Sequence, residues 1–388
     1  MTDPTEEHRR RLARDLASKR ALRSPEWKRA FERVPRHLFV PRFHLEWEDR
    51  TLDGSDPQQR DEWLDVVYSD QGLITQYGPD GCSTSSSSTP SIMALMLEAL
   101  DVDAGARVLE IGTGTGYNAA LLCERLGSEA VTTIDVDPEL VAAARERLAV
   151  AGYRPAVEVG DGFAGWPPGA AYDRVMGTCF VWPLPVAWIE QTHPGGRVLA
   201  VVPNGLAMLT VAGDGSAGGP FHAHDFGFMY MRGGHMPPRI AGPERAALLA
   251  SEGETRPCRR PARIIHAGSR WSFWFWVGMF VPFAEVAWSS RTSCSVIDVL
   301  DRSWYRLDLA QNEVTQGGPR RLWDQVEDLF GTWCELGAPN REDMGLTVEA
   351  DGRHVLWLDR PGSGVAWELE GLQVRPEPSR YARRPARA

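Results

Sequence analysis

Two short stretches combine residue types and spacings that could do chemistry. Residues 81–96, GCSTSSSSTPSIMALM, place eight hydroxyl side chains in the nine positions 83–91 and then turn abruptly apolar. Hydroxyls can orient an anion by hydrogen bonds without adding charge, although serine runs serve more often as flexible spacers. The second stretch, VLEIGTGTGYNAALL at 108–122, spaces Gly112, Gly114 and Gly116 two apart directly after a short apolar run. Such glycines let the backbone close round a ligand where a Cβ would intrude. Further on, VTTIDVDPEL puts Asp135 at the end of another apolar run, where a carboxylate can take both hydroxyls of a ribose.

A strand, a glycine turn and a helix make the first half of a nucleotide-binding βαβ unit. The pyrophosphate fingerprint G-x-G-x-x-G asks for glycine at position 117, where Tyr117 stands. G-x-G-x-G with Glu110 two residues ahead is the arrangement used for S-adenosylmethionine, whose amino-acid end, ribose and adenine need no phosphate cradle. The candidate cofactor-binding residues are Glu110, Gly112, Thr113, Gly114, Gly116, Asp135 and Val136. Asp161 and Gly162 join them, from the GDG that follows the expected strand AVEVG. The alternative is that these are only the tight turns of some unrelated α/β fold.

The elements that would position these residues follow from periodicity. Ile92, Leu95, Met96 and Ala99 have helical spacing behind Pro90, which suits a first helical position, and Ser88 or Thr89 could cap that helix. Strands are expected at 108–111, 172–178 and RVLAVVP, and helices at 118–126 and from Pro138. Strands alternating with helices predict an α/β fold, a doubly wound Rossmann-like class I methyltransferase sheet.

The stretches VPRHLFVP, VLEIGTGTGYNAALL, ELVAAARERL, GDG and HPGGRVLAVV resemble the protein-L-isoaspartate O-methyltransferases, from about residue 25 to about residue 235. The FGFMYMRGG stretch is similar to the family's last strand. VPRHLFVP is the most telling, because other methyltransferases of this fold lack it. The resemblance implies that Ser88 holds the active-site serine's place, in a substrate loop with Ser87 and Thr89; the family has glutamine where Thr89 stands. The hydroxyl-rich run and the long C-terminal extension look like a subgroup found with maturation of ribosomally made peptides, of the graspetide or lanthipeptide type.

The expected reaction is transfer of a methyl group from S-adenosylmethionine to an Asp or isoAsp carboxylate of a peptide, leaving S-adenosylhomocysteine. A carboxylate is already ionised at neutral pH, with a pKa of about 4. Ser88 therefore needs only to strip water from it and hold it in line. The ester can then close to a succinimide. Peptide maturation is the first reading. General repair of isoaspartyl proteins is the second, and a non-catalytic scaffold that binds the cofactor is the third.

Bulk composition agrees with a folded enzyme: 388 residues, 43% hydrophobic and 24% charged. A net charge of -10 argues against nucleic acid as a partner. The mixed-charge N-terminus has no signal-peptide core, so no membrane association and a cytoplasmic location are expected. The six cysteines lie far apart, with reduced thiols as the expectation, and HAHD at 222–225 offers two histidines but no third ligand, so no metal is expected.

Three regions are anticipated: an N-terminal helical, substrate-side segment at 1–80, the cofactor-binding methyltransferase domain at 81–240 and a C-terminal α+β domain at 241–388. Nine of the fifteen tryptophans fall in the last, as an aromatic core or a peptide-recognition surface. Within it, WSFWFWVGMFVPF reads as a buried strand, ERAALLASEGETRPCRRPAR as a linker, and Leu322, Trp323, Val326, Leu329, Phe330 and Trp333 as one helical stripe. The first helix, EEHRRRLARDLASK, reads as lightly packed, and RPEPSRYARRPARA as a disordered end.

Overall fold

The computed structural model describes residues 5–45, 48–79, 81–233, 239–268 and 271–369; the basic end RPEPSRYARRPARA lies outside them. Helices α1 (Glu6–Ser18) and α2 (Pro25–Arg33) come first. Leu12, Ala13 and Leu16 of α1 are at most 1% exposed, so this helix is firmly seated rather than lightly packed. Its apolar stripe points inward while most of its charges face water, Arg9 excepted, which is buried and donates to Glu32 O at 2.8 Å.

Strands β1 (Arg42–Leu45) and β2 (Arg50–Asp53), helix α3 (Arg60–Val67), and strands β3 (Leu73–Tyr77) and β4 (Ser83–Ser87) follow. The strands form an antiparallel sheet in the order β2-β1-β3-β4. The serine run is therefore an edge strand and not a loop: β3 supplies its ladder, pairing Leu73 with Ser87 and Ile74 with Ser86. Partner strands override the weak strand preference of serine.

Next come α4 (Pro90–Leu100), β5 (Val108–Ile111), α5 (Tyr117–Leu126), β6 (Val131–Asp135), α6 (Pro138–Val150) and β7 (Ala156–Val159). Strand β8 (Tyr172–Phe180), α7 (Val186–Glu190), β9 (Thr192–Val202), β10 (Gly205–Val211) and β11 (Ala217–Pro220) complete the middle of the chain. Strands β7-β6-β5-β8-β9 are all parallel neighbours, and every residue of β5 is buried. Strand order reverses between β5 and β8, which opens a crevice at the carboxyl ends, the place where doubly wound sheets bind ligands.

The remaining elements are α8 (Gly242–Ala250), β12 (Glu254–Pro257), α9 (Trp271–Phe280), β13 (Ala284–Ser289), β14 (Ser293–Asp298), β15 (Trp304–Asp308), β16 (Glu313–Gly317) and α10 (Leu322–Glu335). Strands β17 (Met344–Val348), β18 (His354–Leu358) and β19 (Ala366–Leu369) end the described chain. A second antiparallel sheet has the order β12-β16-β15-β14-β13, whereas β17, β18 and β19 extend the main sheet to ten strands through β11. The residues beyond 240 thus divide between a sheet of their own and the main sheet. Pairing with β17 covers the edge that β11 would otherwise leave open.

Two expectations here are corrected. WSFWFWVGMF is the helix α9, not a strand; Phe273, Phe275, Trp276, Val277, Met279 and Phe280 are all buried. A helix covered on most sides shows no polar stripe, and its Trp, Phe and Val content favours strand by propensity. The expected linker holds α8 and β12. It is pinned to α10 by Glu327, 1% exposed, which accepts from Arg256 at 2.7 Å and Arg259 at 2.9 Å. The stripe on α10 is realised as read: Leu322, Trp323, Val326, Leu329 and Trp333 are buried and Phe330 packs beside them. Among the described residues no helix is long and apolar enough to cross a membrane, and no disulfide links the cysteines.

Candidate active site

The glycine turn follows β5 directly, with φ of 103° at Gly112, 51° at Gly114 and 88° at Gly116. At Gly112 the constraint is double, since a Cβ there would also lie 2.6 Å from Thr178 Oγ1. The Thr178 hydroxyl donates to Gly112 O at 2.8 Å, and the N–H groups of Gly112 and Thr113 donate to Ile134 O, fixing the turn against β8 and β6. Asp135, 9% exposed at the end of β6, accepts from Gly114 N–H at 3.0 Å through Oδ2. Its Oδ1 takes Asp137 N–H and the Arg232 guanidinium, each at 3.2 Å.

These groups line one cleft of about 930 Å³ including its mouth. Of the expected cofactor residues, Glu110, Gly112, Thr113, Gly114, Asp135, Val136 and Gly162 line it. Gly116 sits behind the turn as the residue before α5, where a Cβ would press on Ala144 at 3.2 Å. Asp161 is exposed and outside the lining; its carboxylate accepts Phe163 N–H at 3.0 Å and shapes the turn that presents Gly162.

The residues fit S-adenosylmethionine. The cradle excludes Cβ atoms, Asp135 presents carboxylate oxygens, and the buried Asn118 Oδ1 in the lining has no protein partner, which leaves an acceptor for an ammonium group.

Glu110 is fully buried; its oxygens accept from Asn118 at 2.7 Å and from Thr133 at 2.6 Å. Burial pushes its carboxyl up to about 7, against the pull of those two donors and with help from the Asp135 charge. The folded protein therefore holds this proton more tightly than the unfolded chain. The associated stability is complete below the ordinary carboxylate pKa and is lost as pH rises through about 7. Glu110→Gln keeps the acceptor for Asn118, so in cofactor-free protein it should flatten stability between about pH 5 and pH 8 by on the order of 3 kcal/mol. Differential scanning calorimetry checks this, and equal pH slopes for variant and wild type would contradict it.

The serine strand forms the opposite wall. A Cβ on Gly114 would lie 3.5 Å from Ser86 O and 3.7 Å from Ser85 Oγ, so β4 runs directly against the glycine turn. Ser85, Ser86, Ser87 and Ser88 all line the cleft. Ser85 receives the Thr75 hydroxyl and Ser87 Oγ accepts from Arg36, whereas the Ser86 and Ser88 hydroxyls take no partner among the described residues. Thr89 lies outside the lining as the residue before α4, and neither it nor Ser88 caps that helix through its side chain. Instead Asp70 accepts Ser91 N–H at 2.8 Å.

Sequence reasoning missed Arg36, which stands inside VPRHLFVP. It is fully buried, and its guanidinium donates to the carbonyls of Val67, Ser69, Gln71 and Ser88 and to Ser87 Oγ. Burial lowers its pKa to about 10, which leaves it charged at neutral pH. Also missed were Asn118, Thr178 and Arg232, the last bridging Asp135 and Asp137 at 3.2 Å each. His222 and His224 have ring centroids 5.1 Å apart, and burial draws His222 down to about 4.

A glycine cradle, a strand-end carboxylate and a hydroxyl strand facing each other at the carboxyl ends of a doubly wound sheet define an S-adenosylmethionine-dependent methyltransferase. Comparison with known proteins narrows the class. Residues 7–217, more than half of the chain, match the protein-L-isoaspartate(D-aspartate) O-methyltransferase family, and the chain belongs to it. It is accordingly a carboxyl O-methyltransferase. The protein-L-isoaspartate O-methyltransferase of Ignicoccus hospitalis is 36% identical over 200 residues, 51% of this chain and 82% of that one. The enzyme of that name from Dictyoglomus thermophilum is 34% identical over 218 residues, 54% of this chain and 86% of that one. A solved structure of a protein-L-isoaspartate O-methyltransferase aligns with a TM-score of 0.54 and 23% identity, over 91% of this chain and all of that one. The likeness in fold therefore extends past the family match into the C-terminal part.

Proposed function

We propose that this protein esterifies the free carboxyl of isoaspartyl residues in polypeptides, the reaction that opens a repair route through a succinimide. When bound, S-adenosylmethionine supplies a sulfonium whose methyl carbon is open to in-line attack by oxygen. The protein's part is positioning. The Ser88 hydroxyl, uncommitted to any protein partner, donates to one oxygen of the acceptor carboxylate and leaves the other to attack the methyl carbon. Arg36 holds the Ser87–Ser88 backbone in place and adds positive potential behind it, which favours an anionic acceptor. No general base is required, because the acceptor is already ionised. The observation that carries this reading is the approach of β4 to the glycine turn, which sets the two reactants' walls face to face.

Replacing Ser88 with Ala removes one hydrogen bond to a charged group, worth about 1.5–3 kcal/mol, so kcat/KM for an isoaspartyl peptide should fall roughly 10- to 100-fold. Affinity for S-adenosylhomocysteine should stay constant. Full turnover by Ser88→Ala in a methyl-transfer assay would remove Ser88 from the role.

Tailoring of one ribosomally made peptide is the second reading. It is favoured by the hydroxyl-rich wall and by Thr89 in place of the family's glutamine. The C-terminal part does not distinguish the two, because a solved structure named protein-L-isoaspartate O-methyltransferase aligns over 91% of this chain. Unrelated isoaspartyl peptides separate the two: repair predicts efficient methylation of all of them and none of their aspartyl counterparts. Refusal of every unrelated isoaspartyl peptide would favour tailoring.

A further inference from the structure

Between α9, β13, β14 and α10 lies a second cavity, about 980 Å³ including its mouth, with mostly apolar walls that include Val277, Val281, Val296 and Val326. Asn204, Asp225, His266, Ser289 and Tyr305 are among its polar residues. It is not isolated. A smaller cavity of about 540 Å³ shares Asn204, Gly278, Val281 and Ala284 with it. That smaller cavity in turn shares Phe228 and Tyr230 with the methyl-transfer cleft. The segment around Phe228 and Tyr230 is thus a wall common to the methyl-transfer cleft and the smaller cavity, which in turn shares a wall with the apolar one. Val286, on the edge strand β13 of the cavity wall, is 63% exposed, one of few large apolar side chains so placed.

Resting on the reading of the cleft as the site of a polypeptide acceptor, we infer that this cavity is a second subsite for the same acceptor, taking one large apolar side chain of the leucine or phenylalanine class. A polypeptide bound at Ser88 must leave the cleft somewhere, and the succession of shared walls puts an apolar chamber next in line beyond the Phe228–Tyr230 segment. A free hydrophobic molecule would need no such adjacency to the cleft. The enzyme would then select acceptors by sequence context as well as by the reacting carboxyl.

The test reads binding, so that it does not depend on turnover. Calorimetry with S-adenosylhomocysteine present compares a set of isoaspartyl peptides carrying one Leu or Phe, walked through the flanking positions, with all-Ala counterparts. At one spacing the apolar peptide should bind at least about tenfold tighter, as expected for burying such a side chain. Val286→Glu at the rim and Val281→Phe within the cavity should each abolish that advantage and leave the all-Ala peptide's affinity and methylation rate unchanged. No advantage at any spacing, or an advantage that survives both variants, would overturn the inference. Equal affinity for a capped leucine alone would also overturn it, by showing a small-molecule site. Failure of every peptide to be methylated while the apolar advantage persists would count against the acceptor reading and not against the subsite.

Discussion

Arg36→Met is expected to lower the melting temperature on the order of 5 °C and to raise KM for the peptide acceptor in whatever fraction stays folded. Arginine at this position joins three stretches, residues 67–71, the end of β4, and the turn into β1 that it occupies itself. Removing the guanidinium strands several buried carbonyls and the Ser87 hydroxyl, each costing about 1–3 kcal/mol when unpaired. The losses do not add fully, and removal of one side of a buried charged network costs about 3–5 kcal/mol in total. At roughly 1–2 °C per kcal/mol for a chain of 388 residues the shift follows. Arg36→Lys separates fold from function: it keeps the charge but cannot reach both stretches at once, so stability should recover in part while acceptor KM remains raised. Thermal melts and steady-state kinetics check both variants. A Met variant with wild-type melting and KM would show that the network positions nothing.

Asp135→Asn should weaken binding of S-adenosylmethionine and of S-adenosylhomocysteine by about 100-fold, with little change in melting temperature. The carboxylate sits at the end of β6 with one oxygen on Gly114 N–H and the other shared by Asp137 N–H and Arg232. An amide offers a single acceptor and turns an NH2 donor towards groups that are donors themselves. Two charge-assisted bonds to ribose hydroxyls are lost or weakened, about 3 kcal/mol, and each 1.4 kcal/mol is tenfold. Calorimetric affinities within threefold of wild type would mean that the ribose sits elsewhere.

The cofactor side was legible in the sequence because its demands fall on the backbone. Positive φ at Gly112, Gly114 and Gly116 cannot be met cheaply by other residues, so the need is written as glycine. Asp135 is legible because a strand end fixes its place relative to that turn. Arg36 was not legible as a site residue: arginine is usually exposed, and its partners are carbonyls of distant segments that any residue would present. The same limit hid the union of β11 with β17, which joins positions about 130 residues apart, since strand pairing leaves no mark on either strand alone. The α9 stretch misled for a different reason, full burial having erased its periodicity. Ser88 was singled out through family resemblance, and geometry adds what resemblance lacked: a hydroxyl that takes no partner among the described residues, on the wall facing the glycine turn.

The most direct measurement is a crystal structure of the protein with S-adenosylhomocysteine and an isoaspartyl peptide. Ribose hydroxyls on Asp135 and an isoaspartyl carboxylate within about 3 Å of Ser88 Oγ, with its second oxygen aimed at the sulfur, are the predicted result. A peptide carboxylate held away from the β4 wall, or a cofactor seated off the glycine turn, would contradict it.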